Sequence, residues 1–171
     1  MLSGRNALTM SAQLVEQLNV GPTDVLLSYL PLCHVAEKIF TYFMPLVSGS
    51  IVHFGESIET IRQDLREVSP TVFLGVPRIW EKMHASVTLK MKDSSWLKRT
   101  LFQWCLNRGH SIVRCKRNGT SGFIDACTWL ACDLLIFRAL LERLGLRRCH
   151  LPCSGAAPIS KALLEWFHAI G

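Results

Sequence analysis

Residues 24–75 alternate between short apolar runs and longer amphipathic stretches, and this alternation constrains the chain more than any other feature. Residues 24–30 (Asp-Val-Leu-Leu-Ser-Tyr-Leu), 50–54 and 71–75 (Thr-Val-Phe-Leu-Gly) are short and nearly continuous in apolar character. Runs without an in–out alternation suit strands covered on both faces, the usual situation in a parallel sheet. Residues 35–47 lie between the first two, closed by Ser48-Gly49. Residues 57–68 lie between the second and third, with Ser57 as cap and Ile58, Ile61, Leu65 and Val68 at helical spacing. Strand, helix, strand, helix, strand within about fifty residues is the pattern of right-handed βαβ units. The expected fold class is therefore α/β, a parallel sheet with flanking helices. Ligands of such sheets gather at the carboxyl ends of the strands.

The remaining segments read as helices around that sheet. Residues 1–20 carry Leu8, Ala12, Val15 and Leu18 on one side, with Ser3 as cap and Gly21-Pro22 as stop. Residues 77–117 read as helix, broken near Asp93-Ser94-Ser95. Asn118-Gly119-Thr120-Ser121-Gly122 reads as an exposed linker, and residues 123–144 as a long apolar helix ending at Gly145. This makes a helical insertion around residues 78–145. The chain returns to the sheet through residues 146–151, and residues 160–169 form a last amphipathic helix. Three segments then fall at strand ends: residues 31–34, 75–80 and 154–158. The last is Ser154-Gly155-Ala156-Ala157-Pro158, where small residues between a strand and a helix allow close approach of a ligand to the backbone. The same turn is also consistent with a plain tight connection.

Composition removes several classes of function. With 171 residues and 49% hydrophobic content the chain has enough apolar material for a core. Its N-terminal segment lacks the apolar h-region of a signal peptide. The most apolar stretch, residues 123–141, holds Asp125, Asp133 and Arg138, which disfavours a spanning helix. Seven cysteines (Cys33, Cys105, Cys115, Cys127, Cys132, Cys149 and Cys153) include no Cys-x-x-Cys pair. That pattern points to scattered buried thiols in a reducing compartment, with no disulfide framework and no zinc site. Gly-x-Gly-x-x-Gly, Gly-x-x-x-x-Gly-Lys and Gly-x-Ser-x-Gly are all absent.

Charge is regional. Between Lys82 and Arg117 lie Lys82, Lys90, Lys92, Lys98, Arg99, Arg108, Arg114, Lys116 and Arg117 against Asp93 alone. This stretch is +8, so the rest of the chain is −2 within a net charge of +6. Trp96, Phe102 and Trp104 interleave with these cations. A solvated helix face explains this, as does an interfacial helix on anionic lipid. No nucleic-acid motif accompanies the charge. His34 stands three residues before Glu37, a spacing that puts both on one helical face if a helix includes them. Trp80 reads either as core or as a gate.

Three segments together carry a resemblance: Ser28-Tyr29-Leu30-Pro31-Leu32-Cys33-His34-Val35-Ala36-Glu37, then Pro70-Thr71-Val72-Phe73-Leu74-Gly75-Val76-Pro77-Arg78-Ile79-Trp80-Glu81-Lys82, then Cys153-Ser154-Gly155-Ala156-Ala157-Pro158-Ile159-Ser160. In this order and spacing they resemble the adenylate-forming, AMP-binding superfamily, specifically the long-chain fatty acyl-CoA synthetases. The Gly-Val-Pro-Arg-Ile-Trp-Glu-Lys wording is similar to the bubblegum-type branch. Met1-Leu2-Ser3-Gly4-Arg5-Asn6 looks like the stretch that follows that family's phosphate loop.

The resemblance implies that residues 1–171 are a partial AMP-binding domain. The family's phosphate loop, magnesium-binding glutamate motif, ribose-binding aspartate, hinge and C-terminal domain with its catalytic lysine are not in this sequence. It implies that Gly155, Ala156, Ala157 and Pro158 line the nucleotide, that His34 lies near the fatty-acid carboxylate, and that Trp80 gates the acyl tunnel. Arg78 departs from some relatives, and no catalytic residue is assigned. The implied reaction is that of a long-chain fatty acid–CoA ligase: fatty acid and ATP give acyl-AMP and pyrophosphate, and CoA then displaces AMP. ATP/AMP, CoA and Mg2+ are the implied cofactors, with the Mg2+ ligand absent from this sequence, so the chain alone is expected to be inactive. Expected partners are a long-chain fatty acid, ATP, CoA and an anionic membrane met through Lys82–Arg117, with no nucleic acid. The expected location is intracellular: cytoplasmic, or peripheral on the cytoplasmic face of a membrane, the endoplasmic reticulum in a eukaryote. The alternative from the residues alone is a non-catalytic module that binds acyl chains, nucleotide or a membrane surface.

Overall fold

In a computed structural model the chain is described over residues 3–120 and 122–171. Among these, four strands form one parallel sheet: β1 (Val25–Ser28), β2 (Ile51–Phe54), β3 (Val72–Gly75) and β4 (Leu151–Ser154), in the order β2-β1-β3-β4. Val25 to Ser28 pair with Ile51 to Phe54, Leu26 pairs with Val72, and Val72 to Gly75 pair with Leu151 to Ser154. The α/β expectation holds. All four residues of β1 are buried, as an apolar run at the centre of a parallel sheet requires. The edge strands are more open, and β4 accommodates Pro152 because an edge strand can lack one ladder donor.

The chain divides into two compact units. The first holds residues 1–75 and 144–156, and so the whole sheet. Helix α1 (Gly4–Leu18) begins as expected, with Ser3 Oγ accepting from the N–H of Asn6 at 3.2 Å. Met1 and Leu2, included in that expected helix, lie outside the described residues. Asn19 ends it in the left-handed region (φ 52°), before the Gly21-Pro22 stop. Residues 35–48 form one helical path: α2 (Val35–Glu37), a π-helical stretch (Lys38–Phe43) and α3 (Met44–Ser48), closed by Gly49 at φ 74°. Val20, Leu26, Met44 and Val72 make a core joining α3 and the sheet, with Val15, Leu18, Phe40 and Leu151 against it.

One helix start differs from the reading. Helix α4 (Ile61–Val68) begins after Thr60, not at Ser57. Ser57 Oγ instead accepts from the N–H groups of Glu59 and Thr60, which closes a turn and leaves Ile58 exposed. A short Ser side chain competes for nearby backbone donors, which favours the turn over the helix.

The second unit holds residues 76–143 and 157–171. Its helices are α5 (Pro77–Lys92), α6 (Trp96–Arg117), α7 (Phe123–Cys132), a π-helical stretch (Asp133–Phe137), α8 (Arg138–Leu144, its last residue in the first unit) and α9 (Lys161–Ile170). The break at 93–95 and the end at Gly145 fall where expected. Asn118, Gly119, Thr120 and Gly122 of the expected linker are exposed, and Ser121 lies outside the described residues. The expected insertion is a unit that also recruits the C-terminal helix. Gly109 of α6 packs so tightly on α9 that a Cβ there would stand 2.1 Å from the carbonyl oxygen of Ala169. Buried Phe102, Cys105, Cys132, Phe137 and Trp166 build its core.

Candidate functional site

Strands β1, β3 and β4 run in the same direction, so their carboxyl ends share one edge of the sheet. The crossover from β1 leads to β2 on one side, while β3 lies on the other side of β1. The winding reverses between β1 and β3, and such a switch point opens a crevice at the strand ends.

The segment leaving β1 carries His34. The N–H of His34 donates to the carbonyl of Pro31 at 2.8 Å, and its own carbonyl accepts from Lys38 N–H. His34 is the N-cap of α2 with extended backbone (φ −77°, ψ 123°). Its imidazole makes no capping bond and is exposed. Glu37 does not share its face. It is buried, 1% exposed, and its Oε1 accepts from Ser28 Oγ at 2.6 Å, Tyr29 N–H at 3.1 Å and Thr41 Oγ1 at 3.1 Å. Donors freed at the end of a strand need an acceptor, and a buried carboxylate survives only with such donors. Tyr29 then donates from its hydroxyl to the carbonyl of Leu74 at 3.0 Å and stacks on Phe73. The His34 segment thus hangs from a fixed anchor. The sequence reading paired Glu37 with His34 and missed its role as the anchor of this segment. Its one signal is an acid nine residues beyond the end of a buried strand and a single turn before Thr41.

The turn leaving β4 carries Gly155 and Ala156. Ala156 is exposed and holds φ 71°, a left-handed conformation that costs an alanine roughly 1–3 kcal/mol. A Cβ at Gly155 would meet only Leu74 Cδ1, at 3.7 Å, so the glycine is not demanded by crowding and its backbone stays open to approach. One strand, β3, separates this turn from the His34 segment, about 10 Å at the usual strand spacing. Burial pushes the Cys153 thiol up, and burial, opposed by backbone hydrogen bonds, pushes Cys149 up to about 12. Both stay protonated at neutral pH, so neither supplies a thiolate beside the turn.

Trp80, Ala157 and Pro158 belong to the second unit. Trp80 is 4% exposed and meets Phe167 edge-on, with centroids 5.0 Å apart, so it is a core residue of that unit. Ala157 and Pro158 are exposed ahead of α9, whose cap Ser160 accepts from Leu163 N–H at 3.3 Å. Arg78 is exposed. All nine cations from Lys82 to Arg117 are exposed on or beside α5 and α6, and Arg108 stands 5.8 Å over the ring of Trp104. The thiol expectation needs correction. Cys105 and Cys132 are buried in mutual contact, and burial followed by that contact pushes Cys105 up to about 12, but Cys33 and Cys127 are exposed. A cleft of about 410 Å³, lined by Glu81, His84, His110, Ser160 and Trp166 among others, also opens in this unit, with His84 edge-on to Trp166 at 4.8 Å.

Among the described residues no group of three or more His, Cys, Asp or Glu side chains could hold a metal ion. None of their helices is long and apolar enough to cross a membrane.

Comparison with known proteins covers the whole chain. The family model for the AMP-binding enzyme matches residues 1–171. Long-chain-fatty-acid–CoA ligase ACSBG2 of Homo sapiens is 33% identical over 147 residues, covering 84% of this chain and 22% of that protein. Fatty acyl-CoA synthetase A of Dictyostelium discoideum is 35% identical over 150 residues, covering 88% and 21%. Long chain acyl-CoA synthetase 2 of Arabidopsis thaliana is 30% identical, covering 86% and 21%. The chain spans about a fifth of the length of these curated relatives. No solved structure matches it.

Proposed function

This chain belongs to the AMP-binding enzyme family, and we propose that it is the part of a long-chain fatty acid–CoA ligase that receives the adenylate. The relatives' names support fatty acid and CoA as substrates, and the family's description supports an adenine nucleotide. The observation that carries the reading is the turn after β4, where strain is held at exposed Ala156 on the same sheet edge as the β1/β3 switch point. Non-glycine backbone strain persists where the surroundings enforce it, and it clusters at ligand-binding turns.

In this reading Gly155 and Ala156 offer backbone groups to the nucleotide, and Ala157 and Pro158, the next residues of the chain, are assigned to the nucleotide as well. His34, free at its imidazole, meets the fatty-acid carboxylate or the adenylate phosphate. Trp80 lines the acyl tunnel and gates it by leaving its packing against Phe167. Residues 1–171 are a partial adenylation domain. Mg2+ would neutralise charge on the transferring phosphates, but the described residues gather no cluster of three or more His, Cys, Asp or Glu to hold it. The chain alone carries no ligase activity. The exposed cations from Lys82 to Arg117 meet anionic groups, namely the phosphates of CoA or a lipid surface, at the cytoplasmic face of a membrane.

Titration of the chain with an acyl-sulfamoyl adenosine, a stable acyl-AMP analogue, tests the proposal by calorimetry. Saturable binding that is lost in Gly155→Val and weakened in His34→Ala is expected. Absence of saturable binding, or equal binding by Gly155→Val, overturns it. Pyrophosphate release from ATP and palmitate by the chain alone would overturn the inactivity.

A further inference from the structure

Helix α7 and the π-helical stretch after it are two-sided in an unusual way. Cys132 and Phe137 are fully buried. The exposed residues of the same segment are also apolar: Phe123 is 84% exposed, Ile124 79%, and Leu130, Leu134 and Leu135 are 58–59% exposed. Within α7, Phe123 and Leu130 are seven residues apart and return to one side of the helix, Ile124 follows Phe123 directly at its start, and Leu134 and Leu135 carry the exposed apolar residues on into the π-helical stretch. An amphipathic surface helix would place polar residues there, and an apolar face of this size marks a docking surface.

The neighbouring charge identifies the occupant. Helix α6 packs against α7, and only five residues separate Arg117, its last residue, from Phe123. Arg114, Lys116 and Arg117 occupy the final turn of α6, all exposed and without an ion pair among the described residues. The next acid along the chain, Asp125, is half-buried and committed to the N–H of Gly122 at 3.1 Å. An aromatic and a branched aliphatic side chain beside a cluster of free cations match a bilayer interface, apolar side chains meeting the acyl boundary and cations the headgroup phosphates.

We propose that the apolar side of α7, led by Phe123 and Ile124, inserts into an anionic lipid surface and that Arg114, Lys116 and Arg117 bind its headgroups. The proposal rests on the membrane part of the function proposed above and extends it to a face outside residues 82–117. The nucleotide part stands separately, because Gly155→Val reports on that part and Phe123→Ser on this one.

Vesicle co-sedimentation of the whole chain tests it, comparing phosphatidylcholine vesicles with vesicles containing 30% phosphatidylserine. At least tenfold stronger binding to the anionic vesicles is expected, weakened by 0.5 M KCl. Lys116→Gln with Arg117→Gln is expected to weaken it about 30-fold, on the order of fivefold per cation removed. Phe123→Ser with Ile124→Ser is expected to abolish binding at unchanged thermal unfolding, since both side chains are exposed in the folded chain. Equal binding to neutral and anionic vesicles overturns the proposal, and so does unchanged binding by the Phe123/Ile124 variant. If vesicles are not bound and gel filtration shows a dimer that the same variant dissolves, the face belongs to a second copy and the lipid proposal is overturned.

Discussion

The hydroxyl of Ser28 donates to the carboxylate of Glu37 at 2.6 Å, which ties the last residue of β1 to the helix beyond the His34 segment. The same oxygen accepts from the N–H of Tyr29, so one buried atom satisfies two donors that the strand leaves behind. Replacing Glu37 by Ala strands both donors in a dry site, and the expected loss is about 3 kcal/mol. Glu37→Gln keeps an oxygen in place and is expected to lose about 1 kcal/mol. Urea unfolding of the two variants measures the difference. A loss below about 0.5 kcal/mol in Glu37→Ala would mean the anchor is not used.

The opposite edge of the sheet is held by Asp24. Its Oδ1 accepts from Thr71 Oγ1 at 2.6 Å and meets His150 Nε2 at 2.9 Å, while Oδ2 accepts from Gly21 N–H at 2.8 Å. Burial pushes this carboxyl up, but the bonds from Thr71, Gly21 and His150 outweigh it and hold it below its ordinary value of 3.8. A carboxyl depressed in the folded state stabilises the chain above its unfolded value and loses that contribution as pH falls through the folded value. The chain is therefore expected to lose stability below about pH 4, and Asp24→Asn to flatten that limb while lowering stability at pH 7. Thermal unfolding from pH 2 to pH 7 on both proteins decides it, and parallel curves would remove Asp24 as the source.

Ala156 combines strain with exposure in the turn assigned to the nucleotide. Glycine there removes the left-handed penalty but adds freedom to the unfolded chain, and the two nearly cancel, so stability is expected to stay within about 1 kcal/mol. Valine is expected to cost about 2 kcal/mol, since a β-branched residue tolerates positive φ worst. Binding separates structure from function. A looser turn loses pre-organisation, so Ala156→Gly is expected to weaken the acyl-adenylate analogue several-fold at unchanged stability. Equal affinity in wild type and Ala156→Gly would show that the turn's conformation is not used.

The sheet was legible because its strands are buried and short: 24–30, 50–54 and 71–75 each contain the strand found. The capped helices were legible for a similar reason, as Ser3 and Ser160 each cap the helix expected of them. Ser57 misled because the same hydroxyl chemistry closes turns. Glu37 was read only as a neighbour of His34; its anchoring role was invisible because it depends on donors eight and nine residues away, brought near only by the fold. The recruitment of α9 into the helical unit was not legible either, since pairing between Gly109 and Ala169 spans sixty residues and leaves no local period. The strand ends that frame the candidate site could be read; the strain at Ala156 could not, because alanine is not a left-handed residue by habit.

Gly109 offers the sharpest test of the second unit. In an exposed helix interior, Gly→Ala raises stability by about 1 kcal/mol through helix propensity. At Gly109 the added Cβ would lie 2.1 Å from Ala169 O and 3.0 Å from its carbonyl carbon. These are backbone atoms, so relief requires that α6 and α9 move apart along buried Phe102, Leu106 and Trp166. Separation of packed helices costs more than propensity returns, and Gly109→Ala is expected to lower stability by about 2 kcal/mol. Gly4→Ala is the control, because its Cβ would meet nothing within 4 Å at the start of α1. It is expected to change stability by no more than about 0.5 kcal/mol. Denaturant unfolding of both variants gives the comparison; if Gly109→Ala is as stable as the parent, α6 and α9 do not meet at the distance found.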